Sequence, residues 1–600
     1  MAGNNYSKQN LQFVLYEVFD VLSLTKFGRF SKHDEQTYNM VLETAEGIAE
    51  KYLRPFLKDA DRNPPQLERG QVKVHKALRD YYSEFSKSGL LASTFDEEQG
   101  GIQLPSMVFA LADFIIGNSH NGFEMFTSLS KGGAKLIDTF GSTELKERYL
   151  KKILVGEWAA TMCLTEPQAG SSLSNITTTA YPNSDGTFKI KGQKIFISAG
   201  DHDITENIVH LVLARTAGAP IGVKGISLFV VPKKRQSPNN STLISNDVTS
   251  VGLYHKMGQR CTPTLHLEFG NEENCEGYIV GAANMGLTYM FQMMNSFRIG
   301  VGLAGSYIAT AAYYASLQYA NERQQGRRLN NKDLTLSPTP IIKHPDVRRM
   351  LLLQKAIAEG TLSLVMQCNK YVDLMSVSEG DERVRFHDLL ELLTPIVKTY
   401  GAEMGAVAVN NGLQVLGGYG YTEDFILEQL ARDIRIMSLY EGTSGIQSQA
   451  LLGRQVPAHN KRSIELWRRE VKGVVEEAAS NKDLLQYSEW LNSEVDALDQ
   501  TTNHLIGLKD GDQEIFLMDA NLYMELFGIV CIAWQWLKQG MVATTRLDKL
   551  CDSREKIFYR SKIETMKFFF HYELRKTSGL HARLRDKTTI TVAGEHEILI

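Results

Sequence analysis

A carboxylate, a glycine and a helix-start signal follow one another at Tyr440-Glu-Gly-Thr-Ser-Gly-Ile-Gln447. A glutamate removes protons near neutral pH when its surroundings raise its pKa, so Glu441 is the candidate base. Ser444 and Gln447 have the Ser-x-x-Gln spacing of a capping box, which predicts a helix from Ser444 through Leu452. Glu441 then lies beside a helix N-terminus, where an ordinary surface acid is also favoured by the macrodipole. Catalysis at Glu441 therefore needs support from other segments.

Four segments supply it, in a fixed order. Leu164-Thr-Glu-Pro-Gln-Ala-Gly-Ser-Ser172 combines a proline that enforces an extended entry with a glycine that permits a sharp turn, leaving N–H groups and hydroxyls for a polar heterocycle or a phosphate. Phe196-Ile-Ser198 closes an alternating run. Glu322-Arg-Gln-Gln-Gly326 ends a long helical pattern, and Gln414-Val-Leu-Gly-Gly-Tyr-Gly420 ends another. The glycines let a backbone approach a phosphate closely, and they equally make a helix C-cap and turn.

The elements that must position these pieces change period along the chain. Residues 34–158 read as helical, with apolar residues at threes and fours in 38–57 and 73–87. Strands are predicted at 187–191 and 194–198 after the Asp185-Gly186 turn, and at 208–214, 225–231 and 264–269, giving a β domain over 159–283. Long helices at 287–323, 346–372, 389–416 and 424–434 predict a four-helix bundle over 284–456. A helical region follows over 457–600, and 1–33 is an N-terminal extension. The fold class is thus α+β, mainly α. Gly300, Gly302, Ala304 and Gly305 serve either to admit a ligand chain or to let helices approach.

At 600 residues the chain holds about three or four packed units. A net charge of −4 gives no overall attraction to nucleic acid or an anionic membrane, so any anion must be bound locally. No uncharged apolar run approaches membrane-spanning length, and the polar first residues show no secretory signal. The 6 cysteines lack metal-ligand spacing and read as buried small apolar residues in a reducing cytoplasm, with no structural metal.

Taken in order, the motifs resemble those of the acyl-CoA dehydrogenase family over about residues 34–455. The resemblance implies a helical domain, a middle β-barrel or sandwich, a helical bundle, bound FAD and α,β-dehydrogenation of an acyl-CoA thioester, with Glu441 as the base. It places Leu164, Thr165, Ser171, Phe196, Ser198 and Thr443 at the flavin, with Phe196 where relatives have tryptophan. It places Arg323 and Gln325 at the FAD diphosphate of a neighbouring subunit, and Gln414, Gly417 and Gly418 near its adenosine. Ser171, Arg298 and Gly442 face the substrate. Met294-Asn295-Ser-Phe-Arg298 departs from the family's Phe-Asp-x-x-Arg at Asn295, and His344-Pro345 departs from His-Gln, leaving His344 to read as a helix cap.

With its long C-terminal region the chain looks most like the larger subgroup that includes methylthiopropionyl-CoA and broad-range mycobacterial dehydrogenases, and such a tail implies a homodimer. The family resemblance implies an electron-transferring flavoprotein as acceptor and a role in fatty acid β-oxidation. Residues 554–587 are locally basic, which reads as a solvated helix face. The runner-up is a nucleic-acid-associated flavoprotein of this fold, and an acyl-CoA oxidase is a third reading.

Overall fold

The computed structural model describes residues 5–237, 242–330, 333 and 335–592. Residues 1–4 and 593–600, the outer ends of the first and last expected domains, lie outside the described residues. The chain divides into two compact units, residues 32–297 and residues 1–31 with 298–600.

In the unit of residues 32–297, α1 (Glu35–Ile48) opens on Asp34, whose carboxylate accepts the Thr37 N–H at 2.7 Å. The expected helix at 73–87 begins later. Gln66–Glu68 (β1) and Gln71–Lys73 (β2) form a hairpin turned by Arg69 and Gly70, both at positive φ, and α2 covers only Lys76–Lys87. α3 (Ser106–Phe140) is broken at His120, where φ is −163°. The Lys131 ammonium lies over the Phe109 ring, although a straight helix would hold these residues about 33 Å apart, so α3 doubles back.

The strands are β3 (Trp158–Cys163), β4 (Thr179–Pro182), β5 (Phe188–Ser198), β6 (Asn207–Thr216), β7 (Ile226–Pro232), β8 (Lys234–Gln236), β9 (Leu243–Ser245), β10 (Val248–Leu253), β11 (Thr264–Phe269) and β12 (Glu276–Ile279). β5, β12, β7, β6 and β4 pair in succession and β4 returns to β5, closing a barrel. β3 extends from β6, and β11 and β10 extend from β5. Along β6 and β7, Val212, Ala214, Phe229 and Val231 join one core while Leu211, Leu213, Leu228 and Val230 join another with Ile137, Ile153 and Met290. Strands buried on both faces read as continuous apolar runs for this reason. The two expected strands at 187–191 and 194–198 are one. Gly192 lets that strand pass close to Thr178, whose Cα would lie 2.7 Å from a Cβ.

α4 (Gly286–Glu322) begins in the first unit and ends in the second. The second unit continues with α5 (Pro345–Val377), α6 (Gly380–Leu416), α7 (Leu427–Ile434), α8 (Ser444–Ala450), α9 (Arg462–Ala479), α10 (Leu485–Ile506), α11 (Ala520–Leu547), α12 (Ser553–Phe568) and α13 (Thr577–Leu584). α6 starts well before the expected residue 389 and carries Pro395 inside. α4 and α6 touch backbone to backbone: a Cβ on Gly302 would lie 2.7 Å from the Val397 oxygen, and one on Gly305 would lie 2.1 Å from the Gly401 oxygen. These contacts advance together along both helices, so the two run parallel here. Gly302 and Gly305 thus serve helix approach, whereas a Cβ on Gly300 would meet nothing.

The expected bundle and tail share one core. α11 is long and apolar enough by composition to cross a membrane, and it is the mostly buried centre of its unit. Trp536 Nε1 donates to the Ala356 oxygen at 3.0 Å, and Ser363 Oγ donates to Gln535 at 2.9 Å. The N-terminal extension joins the same core. Glu17 accepts from Arg546 at 2.8 Å and from Tyr559 at 2.9 Å, and buried Lys562 donates to Asn10, to Glu359 at 2.8 Å and to Gln539 at 3.1 Å.

Candidate active site

In the unit of residues 32–297, the turn after β3 is locked to β5. The Lys194 ammonium, fully buried, donates to the Glu166 carboxylate at 2.8 Å and to the Leu164 oxygen at 3.0 Å. Glu166 also accepts the N–H groups of Thr177 at 2.6 Å and Thr178 at 3.1 Å. Burial pushes this carboxyl up, but Lys194 and the hydrogen bonds outweigh it and hold the pKa at about 2. The Ile195 N–H donates to the Thr165 oxygen at 2.9 Å. Leu164, Thr165, Phe196 and Ser198 are thereby brought together, with Ser171 exposed on the same turn.

Phe196 stands on a bulge. Between the pairs Ile197–Leu265 and Lys194–Leu267 the register slips, and Phe196 takes a φ of 58°. The residue is 58% exposed, and its ring packs at a tilt of 35° against Tyr254, 4.7 Å between centroids. An aromatic face held out in a left-handed conformation beside a turn of hydroxyls fits a flat heterocycle.

In the second unit, Glu441 and Gly442 both have positive φ, 56° and 85°. Thr443, not Ser444, is the N-cap of α8: its hydroxyl accepts the Ile446 N–H at 3.3 Å. Ser444 Oγ instead donates to Glu403 of α6. Gln447 does not complete a capping box either. Its amide donates to the Glu441 oxygen at 2.9 Å, and a Cβ on Gly442 would lie 2.6 Å from that amide nitrogen. Arg298 is buried, with its Nε 3.4 Å from the same Glu441 oxygen.

The Glu441 side chain is turned inward. Its Oε2 is buried with no hydrogen-bond partner among the described residues. Burial raises its pKa to about 7 against the pull of Arg298 and Lys398. No acceptor among the described residues takes the Glu441 backbone N–H.

A separate, exposed group forms where α4 and α6 end. Arg323 and Gln325 pair through their backbones with Ile341 at 2.8 Å and Thr339 at 3.0 Å. His344 provides no side-chain cap to α5; its Nε2 donates to the Gln325 oxygen at 2.8 Å. Tyr319 reaches across to Tyr419 and Phe425, with centroids 6.4 and 5.5 Å away, which joins this segment to Gly417 and Gly418. Gly417 is the C-cap of α6, at a φ of 59° that favours glycine, and a Cβ on Gly417 or Gly418 would meet nothing. With Gln414 these residues present open backbone and polar side chains, which fits the phosphate and adenosine parts of a dinucleotide.

Lys398 and the Glu166–Lys194 clamp were not singled out in the sequence. The signal for Lys398 was there: a single cation inside the apolar run Leu392-Leu-Thr-Pro-Ile-Val-Lys-Thr-Tyr400. Cys551 is exposed, unlike the other cysteines, and no cluster of metal-binding side chains occurs among the described residues. The basic tail is largely engaged internally. Arg583 pairs with Asp519 at 2.8 Å, Arg585 donates to Thr501 at 2.9 Å, Arg575 lies 3.8 Å over the Trp490 ring, and Lys567 and Lys576 pair with Glu564 and Glu573. This gives no support to a nucleic-acid surface there.

The chain thus sets a barrel between helical segments, with an exposed aromatic at positive φ beside a hydroxyl-rich turn in one unit and an inward glutamate in the other. Sequence comparison matches residues 35–157, 161–271 and 284–455 to the acyl-CoA dehydrogenase N-terminal, middle and C-terminal domains, and 467–593 to the acetyl-CoA dehydrogenase C-terminal-like domain. The 3-methylmercaptopropionyl-CoA dehydrogenase of Ruegeria pomeroyi is 35% identical, over 92% of this chain and 94% of that protein. The broad-specificity linear acyl-CoA dehydrogenase FadE5 of Mycobacterium tuberculosis is 31% identical, over 94% of this chain and 95% of that protein. The crystal structure of a Bacillus anthracis acyl-CoA dehydrogenase complexed with FAD shares the fold with a TM-score of 0.73 at 21% identity, over 95% of this chain and 90% of that one. The chain belongs to the acyl-CoA dehydrogenase family, in the large form with an additional C-terminal helical region, and is a flavin-dependent oxidoreductase.

Proposed function

We propose that the protein binds FAD and converts a saturated acyl-CoA thioester to the trans-2-enoyl-CoA, with Glu441 removing the α proton. The observation that carries this reading is the Glu441 carboxyl itself, inward, unpartnered and lifted to about 7. Such a group is ionised in useful amount at neutral pH and is a far stronger base than an exposed carboxylate. The free Glu441 N–H is available to the thioester carbonyl oxygen as negative charge builds there, which lowers the barrier to losing a weakly acidic α proton. FAD, when bound, accepts the β hydrogen as hydride.

Leu164, Thr165, Ser171, Phe196, Ser198 and Thr443 hold the flavin end in this reading, and Arg323, Gln325, Gln414, Gly417 and Gly418 hold the diphosphate and adenosine of a neighbouring subunit's FAD. Arg298 and Gly442 fix the reacting segment, and Ser171 and Arg298 face the substrate. The reading is completed by a homodimer in the cytoplasm that passes electrons to an electron-transferring flavoprotein during fatty acid breakdown.

The test is Glu441→Gln. The variant is expected to retain FAD and to lose anaerobic bleaching of the flavin by acyl-CoA; bleaching at the wild-type rate overturns the assignment. Screening saturated acyl-CoAs of increasing length by the same bleaching defines the substrate.

A further inference from the structure

The parallel crossing of α4 and α6 brings two cations into the surroundings of one carboxylate. Arg298 stands one turn before Gly302 on α4, and Lys398 follows Val397, the residue that Gly302 touches, on α6. Lys398 is wholly buried, and its Nζ has no hydrogen-bond partner among the described residues. Leaving an ammonium buried and unpaired is costly, so a side chain kept this way serves something nearby.

The charged groups around it are few. Lys398 feels Glu403, Glu441 and Arg298; Glu441 feels Arg298 and Lys398; Arg298 feels Glu441, Arg454 and Glu391. Glu403 is exposed and already accepts from Ser444. The Glu441 Oε2 is buried and unpartnered, and Lys398 forms no ion pair with the Glu441 carboxylate among the described residues.

The geometry points to Lys398 as a positioning residue that keeps Glu441 ionised from a distance while leaving its carboxylate unclamped. The inference rests on the reading of Glu441 as the base. The protein itself contains the contrasting arrangement. Glu166, in direct contact with Lys194, is held at about 2 and fixed by several hydrogen bonds, which would make a poor and immobile base. A cation beyond contact offsets part of the burial of Glu441 and leaves the oxygen free to reach a proton.

The experiment compares Lys398→Met, Lys398→Gln and Lys398→Arg in the FAD-loaded protein. Single-turnover flavin reduction by butyryl-CoA and octanoyl-CoA is followed against pH. In the oxidised protein without substrate, infrared spectroscopy follows the protonated-carboxyl band that Glu441→Gln removes. Loss of the charge in the Met and Gln variants is expected to move both the acid limb and the band up by about one pH unit, while Arg leaves them in place. A limb and band that stay put in Met and Gln overturn the inference, as does a shift that Arg reproduces. If Glu441→Gln bleaches normally, the base assignment fails on its own, and the carboxyl band still decides whether Lys398 acts on Glu441.

Discussion

The side-chain amide of Gln447 donates to the main-chain oxygen of Glu441 at 2.9 Å, so the first turn of α8 holds the backbone of the residue that precedes it. Gln447 is buried and Gly442 leaves no room for a side chain beside the amide, so the tether fixes the left-handed conformation of Glu441 without touching its carboxylate. Gln447→Ala is expected to lower kcat by about tenfold, roughly the effect of misplacing a catalytic group by a fraction of a bond length, with FAD content unchanged. Steady-state kinetics with flavin absorbance checks this; an unaltered kcat would show that the tether is dispensable.

The raised carboxyl also affects stability. A group whose folded pKa is about 7, against roughly 4.3 for a free glutamate, opposes folding wherever it is ionised. The penalty is fully present above pH 7 and vanishes below the unfolded value. Glu441→Gln is therefore expected to stabilise the protein at pH 8, by no more than about 4 kcal/mol, and to have little effect at pH 4. Denaturant midpoints at the two pH values measure the difference.

The Glu166–Lys194 pair has the opposite sign. Its carboxyl is depressed to about 2, so its contribution is present above the unfolded pKa and is lost as pH falls toward 2. Lys194→Met leaves a buried carboxylate without its cation and is expected to cost about 3–5 kcal/mol. Because the pair locks the turn carrying Leu164 and Thr165, FAD retention on gel filtration is expected to fall with it.

Gly305→Ala places a methyl 2.1 Å from the Gly401 oxygen, which the crossing of two helix backbones cannot accommodate without separating them. The expected loss is about 3 kcal/mol, read as a lower urea midpoint at unchanged slope. Gly300→Ala, in open space, is the control.

The elements with a strong period were legible in the sequence. The strand at Thr264–Phe269 lies where its alternation put it, and α4 differs from its expected range by one residue at either end. The hairpin at Gln66–Lys73 was hidden because its turn dipeptide is Arg69-Gly70, and only glycine advertises a left-handed turn. Capping at α8 was misplaced by one residue because Thr443 and Ser444 are both capping types, and the choice between them depends on Glu403 drawing Ser444 away. Glu441 was legible through its motif, but its inward orientation was not. That depends on Gln447, Arg298 and Lys398, which meet only after α4, α6 and α8 have packed.

The attachment of Asn10 and Glu17 to Lys562, Arg546 and Tyr559 ties the start of the chain to its last helices. During synthesis the N-terminal segment leaves the ribosome long before any of those partners exists. Its apolar residues Phe13, Leu15 and Phe19 are buried in the folded unit, so a nascent chain that has not yet produced α11 and α12 holds them without the partners those helices supply.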